Sequence, residues 1–171
     1  MKFSLSKFLW FDGKIVPLEK AKEYSRRYYN EVYTVFGDWK NLIGNKVWEL
    51  KYSITPYGRK RFWEIPLLFD SDYEYKKYKA RVKREGINHV IQGCGADCMK
   101  IALCRIFEEN PFGDGLKILI QIYDEIVVEA PKEIAEEVFK FVSGIMIEVE
   151  KDFLGNIPAK VDGYVANYWQ K

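Results

Sequence analysis

The chain has 171 residues, 48% of them hydrophobic and 16% aromatic, enough to bury the core of one domain or of a compact piece of a larger one. No apolar run reaches the roughly 20 residues that a membrane span needs. Lys7 and Asp12 interrupt the opening MKFSLSKFLWF and no small-residue cleavage site follows, so it does not read as a signal peptide. The net charge of +2 hides an asymmetry: residues 1–84 hold 19 Lys/Arg against 10 Asp/Glu, and residues 85–171 hold 8 against 15. A basic half can track phosphates and an acidic half can hold metal ions, although a solvated Lys-rich surface is the commoner reason for any one charge run.

In chain order, Pro17 opens the first predicted helix, PLEKAKEYSRRYYNEVY, with Leu18, Ala21, Tyr24, Tyr28 and Val32 at helical spacing. Its aromatic rings could stack on single-stranded bases, but core packing is the commoner use of such residues. A less regular helix follows Gly37, with Trp39, Leu42, Ile43, Val47 and Leu50 inward. The segment KYSITPYGRKRFWEIP reads as two short strands joined by Thr55-Pro56-Tyr57-Gly58, the second arm carrying Arg59, Lys60 and Arg61. Residues 72–84 hold six basic residues and no strong core stripe, which predicts an exposed helix or ordered loop. A long helix then runs from about Glu85 to Asn110, with Ile87, Val90, Ile91, Cys94, Cys98, Ile101, Ala102 and Ile106 on one face, and Pro111 and Gly113 end it. After a central hairpin, Pro131 opens a helix through about Phe153 with an apolar stripe of Ile134, Val138, Phe141, Val142 and Ile145. Gly155-Asn156 turns the chain into a last strand, AKVDGYVANYW. Helix, hairpin, helix and strand in this order predict an α+β fold with helices on one face of an antiparallel sheet.

Two features carry chemistry. In Leu116–Ala130, LKILIQIYDEIVVEA, two Ile- and Val-rich runs read as buried strands flanking Asp124 and Glu125. Two charges there are costly unless they occupy a tight turn or bind a cation, and Mg²⁺ takes hard oxygen ligands. Turn acids are also common for backbone reasons alone. The second feature is Asn88-His89-Val90-Ile91-Gln92-Gly93-Cys94-Gly95-Ala96-Asp97. Two glycines within a helix cost roughly 1 kcal/mol each relative to Ala, which a close approach by another backbone or a ligand can offset. Arg84, Asn88 and Gln92 repeat every four residues beside them and present groups suited to phosphates, sugars and minor-groove acceptors. Cys94, Cys98 and Cys104, an odd and clustered set, argue against a disulfide framework and fit a reducing cytoplasm. Three thiols and His89 on one helix fit core thiols and a polar-face imidazole better than zinc, whose structural sites draw ligands from separate loops.

Taken together, REGINHVIQGCGAD followed by QIYDEIVVE resembles the C-terminal palm of family A DNA polymerases, the bacterial DNA polymerase I class. There a helix of the form R-x-x-x-N-x-x-x-Q-G-x-x-A-D precedes a strand-turn-strand with the signature Q-x-H-D-E. TPYGRKRFWEIP is similar to the family's T-x-x-G-R-R hairpin, PLEKAKEYSRRYYNEVYTVFGDW to the fingers helices before it, and VDGYVANYWQK to its closing strand. The resemblance implies an antiparallel palm sheet with a central metal-site hairpin packed by long helices. It assigns residues 1–66 to the C-terminal part of the fingers and 67–171 to that of the palm. It makes Asp124 one of two carboxylates bridging two Mg²⁺ ions, with Glu125 the adjacent, less critical acid. Arg84, Asn88 and Gln92 would touch the primer-template minor groove, Arg59 and Arg61 the DNA backbone, and Tyr123 the primer terminus.

Two departures qualify it. Tyr123 stands where the family commonly has His, and Tyr does not titrate near neutrality. The family's other metal-bridging aspartate and the helix that holds the incoming dNTP have no match here. The expectation is therefore a cytoplasmic DNA-directed DNA polymerase, inactive as this chain alone. It would be either a split subunit working with an N-terminal polymerase chain or a truncated reading of a longer gene, with no membrane partner. The rival reading is a non-catalytic nucleic-acid-binding module built on a palm remnant, which Asp124 and Glu125 disfavour by being present.

Overall fold

Pro17 precedes the first helix, and its carbonyl accepts the Ala21 backbone N–H at 3.0 Å. The computed structural model describes residues 16–169. Helix α1 (Leu18–Arg27) passes into a π-turn at Tyr28–Val32, and α2 (Thr34–Leu50) comes next. Strands β1 (Tyr52–Ile54) and β2 (Lys60–Phe62) pair as a two-stranded sheet. The turn between them is closed by the Gly58 N–H on the Thr55 carbonyl at 2.9 Å, with Gly58 at φ 89°. Glycine tolerates that conformation without steric cost.

Helix α3 spans Asp72–Glu108, 37 residues without a break. The basic segment before Glu85 is therefore helical, in one continuous helix with residues 85–108. Ser71 starts α3 by accepting the Glu74 N–H on its Oγ at 3.2 Å, an N-cap that satisfies one of the orphan donors of a first turn. Asn110 ends it, accepting the Phe112 N–H and donating to the Gly113 carbonyl, both at 2.9 Å.

The second sheet pairs β3 (Lys117–Ile122) antiparallel with β4 (Glu125–Glu129), and the register slips between Ile118 and Ile120. Helix α4 (Ala135–Leu154) comes after a 3₁₀ turn beyond Pro131, and its buried Val138, Val142, Ile145 and Val149 form one helical stripe. Gly155 at φ 60° ends α4.

The chain forms two compact units. The first comprises residues 1–53 and 60–87, and its described core is Val47, Trp63 and Val82 with Ile43, Trp48 and Tyr78 packed on it. A Cβ on Gly86 would fall 2.6 Å from Val47 Cγ1, so α2 and α3 meet there only because the side chain is missing. The second unit comprises residues 54–59 and 88–171. Its core joins Cys94, Cys98, Ala102 and Ile106 of α3 to Leu116 and the α4 stripe, with Ile118, Ile126 and Val128 of the hairpin packed against it.

Two expectations are corrected. Residues 159–169 form no strand: the ladder stops at β3 and β4, and the apolar residues of this tail are mostly exposed. An alternating pattern makes a strand only where a neighbour supplies backbone partners. Nor are the Ile- and Val-rich runs fully buried. Leu119 and Ile120 are more than half exposed, so the hairpin packs by one face.

Candidate functional site

The hairpin turn is built from two residues. Ile122 pairs with Glu125, leaving Tyr123 and Asp124 between the strands. Tyr123 takes φ 55°, a region that non-glycine residues seldom occupy, and its side chain is 91% exposed. Gln121 Nε2 donates to the Tyr123 carbonyl at 3.0 Å and ties the turn to β3. Asp124 is exposed at the tip. Glu125 begins β4, and its Oε1 accepts the Trp169 indole N–H at 2.9 Å. This hydrogen bond links the tail after α4 to the hairpin.

Adjacent carboxylates of this kind offer hard oxygen donors, the chemistry Mg²⁺ selects. The pair alone is not a complete metal site: among the described residues no group of three or more His, Cys, Asp or Glu converges.

Arg84, Asn88 and Gln92 are all exposed. Of the two glycines beside them, Gly93 has a structural reason: a Cβ there would lie 2.7 Å from Thr55 Cγ2 and 3.2 Å from an Arg59 nitrogen. Gly95 faces open space and is exposed. Gly95→Ala should therefore stabilise the second unit by about 0.5–1 kcal/mol through helix propensity, read from thermal or urea unfolding. A loss of stability would show that Gly95 is held by a contact within the chain.

The residue missed by the sequence reading is Asp97. It is buried, accepting the Thr55 hydroxyl on Oδ2 at 2.7 Å and Arg59 Nε on Oδ1 at 2.8 Å. Arg59 also donates to the Gly93 carbonyl at 2.8 Å, and its own N–H reaches Thr55 Oγ1 at 3.2 Å. The Thr-Pro-Tyr-Gly turn is thereby fastened to α3. The available signal was an acid on the apolar side of a helix, which must find a donor when buried. Arg59 is consequently an internal clamp in this structure. Arg61, in the first unit, donates to Glu85 at 3.3 Å and lies 5.0 Å from the centre of the Trp63 ring.

Burial and the neighbouring Cys98 push the Cys94 thiol up to about 11, so it stays protonated at neutral pH. Burial and a contact with Cys98 Sγ at 3.8 Å likewise push Tyr57 up to about 12. Cys94 and Cys98 are core thiols, as expected, whereas Cys104 is exposed and His89 is buried rather than on the polar face. No hydrogen bond or ion pair among the described residues joins Asp124 to Arg59, Asn88 or Gln92; the Asp97 clamp and the Asp124 tip are separate constellations.

The sequence model of DNA polymerase family A matches residues 2–171. The chain belongs to DNA polymerase family A. It is 34% identical over 161 residues to DNA polymerase I of Aquifex aeolicus (strain VF5), covering 93% of this chain and 25% of that one. It is 29% identical over 157 residues to the thermostable DNA polymerase I of Thermus aquaticus, covering 90% of this chain and 17% of the relative. The chain thus spans a quarter or less of the length of these two relatives. The fold is similar to the POL domain of Pol1 from M. smegmatis, solved in complex with DNA primer-template and dNTP, with a TM-score of 0.68 and 24% identity over 86% of this chain and 24% of that one. No described helix is long and apolar enough to cross a membrane.

Proposed function

We propose that this family A chain supplies part of the polymerase domain of a DNA-directed DNA polymerase, with Asp124 as the hairpin carboxylate of its metal centre. The observation that carries this reading is the tip of the β3–β4 hairpin. There, in a chain of this family, Asp124 stands exposed next to Glu125, whose carboxylate is held by Trp169. In this reading residues 1–66 belong to the fingers and 67–171 to the palm.

Asp124 and Glu125 would hold Mg²⁺ together with a carboxylate and substrate phosphates from outside the described residues. Bound there, the metal would lower the pKa of a primer 3′-hydroxyl and neutralise charge on the transferring phosphate. Asp124 would supply hard oxygen donors to the metal. Glu125, already hydrogen-bonded, would adjust charge beside it. The exposed face of Arg84, Asn88 and Gln92 would meet the minor groove of primer-template DNA, where acceptors shared by all base pairs allow pair geometry to be checked without reading identity. Gly95 leaves room there for a close approach. Tyr123, at the tip, would meet the primer terminus as a hydrogen-bond donor. Arg61 would lie near the DNA backbone, and Arg59 would act chiefly by fastening its turn to α3.

The test is reconstitution. The chain is combined with a polypeptide carrying the other metal-bridging carboxylate and the dNTP-binding helix of a family A polymerase, and primer extension is monitored. Mg²⁺-dependent extension by the mixture, with neither component active alone, is the expected result. A mixture that binds DNA with no extension at any Mg²⁺ concentration would favour the non-catalytic module instead.

A further inference from the structure

The aromatic residues of α1 and the π-turn do not form a core. Tyr28 and Tyr33 are 47% and 53% exposed, and Phe36 on α2 is also exposed. They belong to a continuous set of rings: Tyr33 to Tyr28 at 4.6 Å, Tyr28 to Tyr29 at 5.0 Å, Tyr29 to Phe36 at 5.9 Å, and Phe36 to Trp39 at 5.6 Å. Tyr29 is the hinge of this set. Its ring carries Lys40 Nζ at 3.7 Å from the centre, and it walls one side of a pocket of about 280 Å³. The π-turn makes the pocket possible. It brings the Tyr29 carbonyl so near Gly37 that a Cβ there would fall 2.4 Å from it.

Lys22, Ser25, Arg26, Asn30, Lys40 and Asn41 line this pocket, and among the described residues no acid does. Glu19 pairs with Lys22, and Glu31 with Arg26, but neither acid lines the pocket. Those pairs are exposed and contribute little, so a phosphate can displace them. The volume falls below the roughly 300 Å³ at which pockets begin to enclose small ligands. It suits a phosphate that reaches in from a longer strand. Cations and amides beside accessible rings are the combination that binds single strands, with phosphates in the groove and bases on the rings.

We propose that the α1–π-turn–α2 corner is a docking site for single-stranded nucleic acid, its phosphates held by Lys22, Arg26 and Lys40 and its bases stacked on Tyr28 and Tyr33. The site uses none of the residues assigned to the metal hairpin or the α3 face, so it stands or falls independently of them.

The full chain is titrated with a fluorescent oligothymidylate and with a duplex of equal length, by anisotropy at several salt concentrations. For the single strand, Lys22→Ala/Arg26→Ala/Lys40→Ala should lower the slope of log affinity against log salt by about 2, since each phosphate contact on a single strand contributes about 0.7. Tyr33→Ala should weaken the single strand ~10-fold with the slope unchanged and leave the duplex unaffected, while Tyr33→Phe retains binding. Circular dichroism confirms that each variant is folded. An unchanged slope in the triple variant would overturn the phosphate assignment. Wild-type affinity in Tyr33→Ala, with pyrophosphate competing as well as the oligonucleotide, would reduce the site to an anion pocket and overturn the strand. If Tyr33→Ala changes only the sedimentation of the protein, the rings are a protein-docking face and the proposal fails.

Discussion

Asp124→Asn should reduce nucleotide addition by the reconstituted polymerase about a thousandfold or more while leaving the fold and DNA affinity nearly unchanged. Asp124 is exposed at the hairpin tip and no hydrogen bond or ion pair within the described residues depends on it. A substitution at such a position usually changes stability by no more than about 0.5 kcal/mol. The amide keeps size and one oxygen but removes the negative charge. Loss of a bridging carboxylate would affect metal occupancy and stabilisation of the 3′-oxyanion together, a contribution of several kcal/mol, and each 1.36 kcal/mol is tenfold in rate. Glu125→Gln should cost only about tenfold. Its carboxamide oxygen can still accept the Trp169 indole N–H, and in the proposed arrangement this acid tunes the site rather than bridges it. Primer extension at saturating Mg²⁺, with melting and DNA-binding controls, orders the two. Near-normal extension by Asp124→Asn would remove the hairpin from the chemistry.

The hairpin could be read in advance because its signals are local. Two β-branched runs flank Asp124 and Glu125, although the turn itself falls on Tyr123 and Asp124 and Glu125 already belongs to β4. The helical stripe of α4 is equally local, with Val138, Val142 and Ile145 a turn apart and Gly155 at its end. What escaped depends on the partner rather than the segment. The basic start of α3 shows no strong apolar stripe and fits a helix or an ordered loop equally in sequence; it is helical, capped by Ser71 and anchored by Val82 and Tyr78 beside Val47 and Trp63. The tail 159–169 alternates like a strand but pairs with none, and one indole hydrogen bond to Glu125 takes the place of a ladder. Gly93 and Gly95 looked alike in sequence, and only the position of Thr55 distinguishes them. The Asp97 clamp joins residues 38 and 42 apart in the chain, a separation at which no periodicity speaks.

That clamp leads to the second large effect. Asp97→Ala should destabilise the second unit by about 2–3 kcal/mol. The Thr55 hydroxyl, on a buried residue, would lose its acceptor at the cost of an unsatisfied polar group. Arg59 would lose its charged partner, but its side chain is 40% exposed and can turn to water. The penalty therefore falls below the roughly 3–5 kcal/mol of a fully buried pair broken on one side. Asp97→Asn keeps an acceptor for one of the two donors and should cost about half as much. Arg59→Ala should resemble Asp97→Ala, and the double variant should be less damaging than the sum, with a coupling of about 1 kcal/mol or more for residues in direct contact. Urea unfolding of the four proteins closes the cycle. The comparison also separates two roles for Arg59. If it serves mainly as the clamp, Arg59→Ala and Asp97→Ala should lose DNA affinity equally and in step with stability. If it binds phosphate directly, only Arg59→Ala should lower the salt slope, by about 0.9 for one duplex contact, and Asp97→Ala should leave that slope intact. Additive stabilities in the cycle would show that Asp97 and Arg59 do not hold the turn together, whatever their separation of 2.8 Å suggests.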